Sequence, residues 1–318
     1  MLLIIARRIV AAFFTLLFIS VLVFALTEVL PGDVATALLG RDATPEQLAS
    51  LRTELGLNQP AHTRYQEWLA GAVRGDLGVS LANETPIRPV VLIRLRNTAL
   101  LAAVTLLFSI PLALMLGVIA GLLRDRLPDL LISFFTLIGM SLPGYVIGVL
   151  LILVISIRLA WLPAVTLVAP NAPLWQFLPY VILPALTVTV GLIAYLIRLL
   201  RTNIIDVMTS NYVQMATLKG VPYPQVVLRH ALPSALLPAI NALALLIADL
   251  LGGVVIAETL FNYPGLGRLM ITAVTTRDLP MVQAIALVGA AIYISVNLVA
   301  DLLAMLLNPR LRTWITQT

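Results

Sequence analysis

Residue types that commonly carry catalysis or bind metals are scarce in this sequence. Cysteine is absent, which excludes thiol nucleophiles, iron–sulfur clusters and cysteine-ligated zinc. The Lys219–Gly220 pair lacks the preceding glycines and the following Ser or Thr of a phosphate-binding loop, so the chain does not bind ATP by that route. Ser133, Ser141 and Ser156 have no visible catalytic base, which argues against an intramembrane enzyme. We therefore expect a non-catalytic chain that binds no metal or cofactor itself.

Charged residues are equally scarce within the apolar runs, where Asp249 is the one clearly placed inside. A charged side chain facing lipid at the centre of a bilayer costs on the order of 2.5 to 3.5 kcal/mol, so Asp249 should face the protein interior or water. Carriers driven by protons or sodium usually need ionisable or carbonyl-rich sites at mid-depth. This scarcity disfavours an ATP-independent channel or secondary carrier, which stays the alternative hypothesis.

The composition is that of an integral membrane protein. Apolar residues make up 60% of the 318 residues and charged residues 11%, and the mean hydropathy is +1.03. Soluble proteins have roughly 45 to 50% apolar and about 25% charged residues. Runs of about 20 apolar residues without alternation indicate membrane-spanning helices. We predict an all-α protein with six transmembrane helices at about 9–30, 98–123, 130–157, 178–200, 235–257 and 281–307.

The distribution of Arg and Lys predicts that both termini are cytoplasmic, because cytoplasmic loops are enriched in these residues. This orientation places His62 and His230 on opposite sides of the membrane, so they cannot share a metal ion. The net charge of +5 is a topology signal, and no basic patch suggests nucleic acid as a partner. The cytoplasmic set is Arg7, Arg8, Arg124, Arg126, Arg198, Arg201, Lys219, Arg229, Arg310 and Arg312, against Arg158, Arg268 and Arg277 in the short outer loops.

The sequence divides into an N-terminal segment with the first span (1–30), an extracytoplasmic region with short amphipathic helices (31–97) and a core domain that holds the remaining spans (98–318). In the outer region, Thr44 and Gln47 form a predicted capping box that begins a helix at Pro45. A second short helix is expected at about 63–73, and an interfacial helix at 86–97 leads into the second span.

The stretch QMATLKGVPYPQVVLRHALPSALLP (214–238) begins within the loop 203–234 and holds the only lysine of the chain, Lys219. Asn203 to Gln214 predicts a short helix, Gly220 and Pro222 end it, and QVVLRHAL predicts a second one. A helix–break–helix of this kind suits a groove on another protein. The alternative is an interfacial loop that merely joins two spans.

This stretch resembles the cytoplasmic coupling loop of ABC importer permeases, in particular the dipeptide and oligopeptide permease family. Motifs that resemble this family in order and spacing extend over the whole chain, among them LPGD (30–33), GDLGVSL (75–81), ETLFNYPGLGRL (258–269) and NLVADLLAMLLNPR (297–310). The loop residues that we assign to ATPase coupling are Tyr212, Gln214, Ala216, Lys219, Gly220, Arg229, His230, Leu232 and Pro233.

The resemblance implies a type I ABC importer permease fold in the bacterial inner membrane, with no catalytic residues. It implies as partners a second homologous permease, two cytoplasmic ATPase subunits that hold ATP and Mg, an extracytoplasmic substrate-binding protein and membrane lipid. The substrates expected are di- and oligopeptides or related molecules, but glutathione, a nickel complex or a sugar is equally open. As candidates for the translocation path or its gate we select Pro143, Tyr145, Asp249 and Glu258.

Overall fold

The structure is a computed structural model that describes residues 2–29, 44–54 and 58–307, and these ranges are mainly helical. They fall in two compact units: Thr98–Tyr263 with residues from Val296 onward, and Leu2–Asn97 with Pro264–Ser295. In chain order the helices are α1 (Leu2–Val29), α2 (Pro45–Glu54), α3 (Ala61–Val73), α4 (Ile87–Leu122), α5 (Leu127–Ser141), α6 (Gly144–Leu151), α7 (Leu178–Met208), α8 (Asn211–Leu218), α9 (Tyr223–Gln225), α10 (Leu232–Leu260), α11 (Leu266–Thr275) and α12 (Leu279–Leu307).

Several of these helices are long and apolar enough to cross a membrane. Among the described residues four qualify, namely Ile5–Glu28, Ile87–Leu122, Leu174–Met208 and Leu279–Val299. The bent pair made by α5 with α6 and its continuation to Arg158 would be a fifth. The chain is thus an integral membrane protein with several apolar helices, as the composition predicts.

The third apolar run is a broken helix. Pro143 has no backbone N–H to donate, and the residue before a proline avoids the helical conformation. Leu142 is accordingly extended, with φ −90° and ψ 131°, so α5 ends at Ser141 and α6 begins at Gly144. The helix direction bends by 111° at this break. Beyond α6 the chain continues as a π-helix, Ile152–Arg158.

Two predicted boundaries differ from the structure. The expected interfacial helix at 86–97 is the first part of α4, which runs without interruption for 36 residues. The single helix expected from Asn203 to Gln214 is wrong: α7 continues to Met208, and α8 starts at Asn211. Ser210, which precedes α8, is extended with φ −73° and ψ 150°, and this divides the stretch in two.

The unit Thr98–Tyr263 has its core between α4, α7 and α10, where Leu101, Phe177, Leu192, Val254 and Tyr263 are buried together. Small residues let α4 approach α7 closely. A Cβ atom added at Gly117 would lie 2.7 Å from Cβ of Leu200, and one at Gly121 would lie 2.7 Å from Cβ of Ile204. This GxxxG spacing is the arrangement that favours close helix contacts in membranes.

The other unit packs α1 against α3. The rings of Phe24, Tyr65 and Trp68 lie within 6.1 Å of one another, and the hydroxyl groups of Ser20 and Tyr65 share a 2.9 Å hydrogen bond. Tyr65 and Trp68 of α3 therefore pack on the first apolar helix. A further core joins the first part of α4 with α11 and α12, where the buried residues are Ile87, Val91, Leu266, Ala273, Met281, Ala284 and Ile285.

Candidate functional site

The connecting segment (residues 209–231) joins α7 to α10 and contains most of the residues selected for coupling. At the end of α8, Gly220 adopts a φ of +77°, which glycine tolerates far better than other residues. The N–H of Gly220 donates to the carbonyl of Thr217, and the N–H of Val221 donates to that of Ala216. These two bonds form a Schellman motif, which turns the chain back after the helix. The conformation of Gly220 is thus required by the fold of the segment itself.

After Pro222 the chain returns through the short helix α9 and a π-helix, Val226–Ala231. The inner side of the segment forms its own small core, in which Val213, Val226 and Ala231 are buried. The half-buried Ala216 packs against this core, as do Val207, Met208 and Val221. The end of α7 and the connecting segment therefore pack as one body.

The outer side of the segment is apolar and exposed. In α8, Tyr212, Met215 and Leu218 recur every three residues on that side, and Leu218 is 81% exposed. Tyr223 and Leu228 extend the exposed apolar surface beyond the turn. Exposed apolar patches of this kind mark interaction sites. We call these five residues the outer face of the connecting segment.

The polar residues selected in this region are at the periphery. Lys219, Arg229 and His230 are exposed. The hydroxyl of Tyr212 donates to the carbonyl of His230 at 3.4 Å, which ties the start of the segment to its end. Gln214 donates through Nε2 to the carbonyl of Thr209 at 3.0 Å. The last two selected residues begin α10, where Leu232 is half-buried and Pro233 is exposed.

A cavity of about 290 Å³ lies where α6 begins, beside the break at Pro143. A Cβ atom at Gly144 or Gly191 would meet nothing within 4 Å, so these glycines leave the space open. Thr187 contributes a hydroxyl that already donates to the carbonyl of Leu183, and the lining is otherwise apolar. Tyr145, which follows Gly144, is 57% exposed. The remaining lining residues are Val188, Leu192, Leu246, Leu250 and Ile256.

The two acidic candidates for the path have different positions. Glu258 is fully buried and accepts a 2.5 Å hydrogen bond from the hydroxyl of Thr98. Its carbonyl accepts from the N–H of Tyr263, which closes the end of α10. Asp249 belongs to α10, but its side chain lies outside the described part of the chain. No group of three or more potential metal-ligating side chains occurs in the described ranges.

An ion pair that the sequence does not predict joins α5 to α7. Arg201 donates from Nε to Oδ1 of Asp129 at 2.5 Å and from Nη2 to Oδ2 at 2.7 Å. Asp129 is fully buried. It also accepts the N–H of Asp125 at 2.9 Å and the hydroxyl of Ser133 at 3.2 Å. In the sequence, Arg201 is a topology signal, and nothing in the spacing links it to Asp129, 72 residues earlier.

Comparison with known proteins covers nearly the whole chain. The family model "Binding-protein-dependent transport system inner membrane component" matches residues 113–313, and its N-terminal companion matches residues 1–102. The glutathione transport system permease protein GsiC of Escherichia coli O6:H1 is 36% identical over 306 residues, which is 96% of this chain and 97% of the relative. GsiC of Escherichia coli K12 is 35% identical and GsiC of Salmonella paratyphi A 34% identical, each with the same coverage.

Proposed function

The chain belongs to the family of binding-protein-dependent transport system inner membrane components, and we propose that it forms the translocation path for peptide-like substrates. It is an importer permease subunit of the bacterial inner membrane, and the ATPase activity of such importers resides in partner subunits. The observation that carries our proposal is the connecting segment, which exposes an apolar outer face while its inner side is packed with the end of α7.

The outer face is proposed to dock on a cytoplasmic ATPase subunit. Leu218, which is 81% exposed, and its apolar neighbours would be buried by such a partner, in the manner of an amphipathic helix in a groove. The selected residues Lys219, Arg229 and His230 would lie at the polar rim. Because the inner core joins α8 to α7, a shift of the docked segment would move α7 as a rigid body.

The complete topology is a further part of the proposal. Six spans require that α10, with 29 residues, crosses the membrane together with the four long apolar helices and the bent pair. Both termini and the connecting segment would then be cytoplasmic, and residues 31–97 would lie on the outer side, with the last of them forming the first part of α4. A second homologous permease, two ATPase subunits and a substrate-binding protein would complete the importer.

We propose that the cavity beside the break belongs to the translocation path. Residues of α6, α7 and α10 line the cavity. A relative movement of these helices would therefore change its volume. The apolar lining suits a path that binds its substrate weakly. The relatives are named glutathione permeases, which favours glutathione or another short peptide as the substrate.

The test uses the importer as it is isolated from its native membrane, with its co-purifying subunits identified by mass spectrometry. Leu218→Arg is the test variant, and Leu167→Arg is the matched control, because Leu167 is an equally apolar side chain with 82% exposure in the connection between α6 and α7. We expect Leu218→Arg to lose about tenfold or more of the co-purifying ATPase, as hot-spot residues in interfaces do. Leu167→Arg should retain the ATPase.

ATP-dependent uptake of radiolabelled glutathione and of dialanine into proteoliposomes tests the substrate class. Uptake of either compound that requires ATP supports the proposal. Undiminished ATPase retention in Leu218→Arg would contradict the docking face. Flux without ATP or partner subunits would favour the channel or carrier instead.

A further inference from the structure

The ion pair between Asp129 and Arg201 joins the two elements that the proposed mechanism must connect. Arg201 lies near the end of α7, seven residues before Met208, where the connecting segment begins to pack. Asp129 lies in the first turn of α5, the helix whose other end is the break at Ser141. Both residues belong to the same compact unit.

On the side of α7, the path from the connecting segment to Arg201 is rigid. The helix is continuous from Arg201 to Met208, a rise of about 10 Å at 1.5 Å per residue. Val207 and Met208 pack against the core of the connecting segment, and Nδ2 of Asn203 donates to the carbonyl of Ala235 at 3.3 Å. A displacement of the segment would therefore reach the guanidinium group of Arg201.

On the side of α5, the pair fixes the start of a helix that packs along α7. Further along this contact, a Cβ atom added at Gly139 would lie 3.4 Å from Val190 and 3.5 Å from Ala194, which is ordinary van der Waals contact. Apolar contacts of that kind are not directional. The ion pair is directional and cannot slide, so it fixes α5 to α7 at the end that is distant from the break.

The pair is also difficult to open. Removal of one partner of a buried ion pair leaves an uncompensated charge, which is strongly unfavourable. The carboxylate of Asp129 is fully buried, and the bidentate geometry fixes the guanidinium plane. The hydroxyl of Ser133 and the N–H of Asp125 donate to the same carboxylate. Both groups are four residues from Asp129 in the sequence, and their hydrogen bonds orient its carboxylate towards Arg201.

We propose that Asp129 and Arg201 are positioning residues that transmit movement of the connecting segment to α5 and so to the break and cavity at Gly144. This inference rests on the proposed function, because it assumes that the segment receives force from an ATPase. The pair stays closed during the transport cycle, and α5 follows α7. The free energy of ATPase closure thereby acts on the broken helix, a two-state element that both sites can bias.

The experiment uses the complete importer and exploits the absence of cysteine from this chain. Asp129→Cys and Arg201→Cys are combined, and the two thiols are joined by a short bifunctional methanethiosulfonate reagent that dithiothreitol removes. Three quantities are measured: co-purified ATPase, ATP hydrolysis, and ATP-dependent uptake of glutathione and dialanine. The matched control is Arg198→Gln, which changes an exposed arginine on the same helix.

Before cross-linking, we expect the double variant to retain its ATPase subunits and to hydrolyse ATP, while uptake falls about tenfold, a typical effect of a lost coupling contact. Cross-linking should restore uptake, and dithiothreitol should lower it about tenfold again. The Arg198→Gln control should transport normally. If uptake falls only in proportion to the amount of assembled complex, the pair is merely structural and the inference fails.

The inference also fails if the cross-link blocks uptake, since the pair would then have to open during the cycle. Failure of the proposed function gives a different pattern, because Leu218→Arg would then keep its ATPase subunits in the separate test. If Leu218→Arg loses its ATPase subunits as expected but the double variant transports normally, the proposed role of the ion pair is rejected and the docking face stands.

Discussion

The hydroxyl of Thr98 donates a 2.5 Å hydrogen bond to Oε1 of Glu258 across 160 residues of sequence, and both side chains are buried. This bond joins α4 to the end of α10 within one compact unit. The sequence suggested Glu258 as a candidate for the translocation path. The hydrogen bond also gives Glu258 a role in fixing the end of α10, after which the chain continues into the residues NYPG (262–265).

Thr98→Val should lower the stability of the purified protein, because the new side chain has nearly the same shape but cannot donate to the buried carboxylate. Loss of a hydrogen bond to a charged group costs about 1.5 to 3 kcal/mol. Thr98→Ser keeps the hydroxyl and serves as the control. Thermal unfolding in detergent should show a lower midpoint for the valine variant than for the serine variant; equal midpoints would show that this bond contributes little.

Gly148 and Gly144 offer a matched pair on α6. A Cβ atom at Gly148 would collide with Cδ2 of Leu260 and lie 3.1 Å from Cγ2 of Thr187, whereas a Cβ atom at Gly144 would meet nothing within 4 Å. Gly148→Ala should therefore destabilise the packing of α6 on α10 by about 1 to 3 kcal/mol, the usual cost of overpacking. Gly144→Ala should leave the thermal midpoint unchanged. A similar loss in both variants would point to helix geometry instead of packing.

Local signals in the sequence predicted several elements well, because their causes lie within a few residues. The capping box at the start of α2 is confirmed: the N–H of Thr44 donates to Oε1 of Gln47 at 3.0 Å, and the N–H of Gln47 donates to Oγ1 of Thr44 at 3.3 Å. The helix expected at 63–73 is α3. The break at Pro143 also has a local cause, the missing backbone N–H, although the size of the bend depends on how α5 and α6 pack against α7.

Contacts between distant residues could not be predicted in the same way. The pairing of Asp129 with Arg201 depends on how α5 and α7 lie side by side, and a single sequence gives no measure of that distance. The division between α7 and α8 at Ser210 depends on the core formed by Val213 with the returning chain. The periodicity of one segment contains no information about such a core, so the boundary was placed incorrectly.

Asp278 organises the connection before α12. Its Oδ1 accepts the N–H groups of Met281 and Leu81, at 3.3 and 3.2 Å, and its Oδ2 accepts the hydroxyl of Ser80 at 2.5 Å. The residue thus caps α12 and holds the segment at 80–81 against it.

Asp278→Ala should destabilise this unit by about 2 kcal/mol, since it removes a helix cap and further buried hydrogen bonds. Asp278→Asn should be much milder, because its amide oxygen can still accept from both backbone N–H groups and its NH₂ group can donate to Ser80. Hydrogen exchange of peptides covering 75–85 and 278–284 would measure the effect. Faster exchange confined to one of the two peptides would show that the carboxylate does not link them.

The last prediction separates the fold of the connecting segment from its proposed docking. Gly220 has a φ of +77°, and an L-residue other than glycine pays roughly 1 to 2 kcal/mol in that conformation, asparagine less than most. Gly220→Ala should therefore accelerate hydrogen exchange in peptides covering 213–226, and Gly220→Asn should do so less. Leu218→Arg changes an exposed side chain and should leave exchange in the isolated permease unaltered.

These variants allow a loss of transport to be assigned to its cause. If Gly220→Ala loses ATPase subunits together with protection from exchange, the Schellman turn is required to present the outer face. If exchange accelerates but ATPase retention is unaffected, the segment folds on its partner and its preformed turn contributes nothing to docking. Faster exchange in Leu218→Arg would contradict the assignment of Leu218 to the outer face, because a side chain with only solvent contacts should not stabilise the turn.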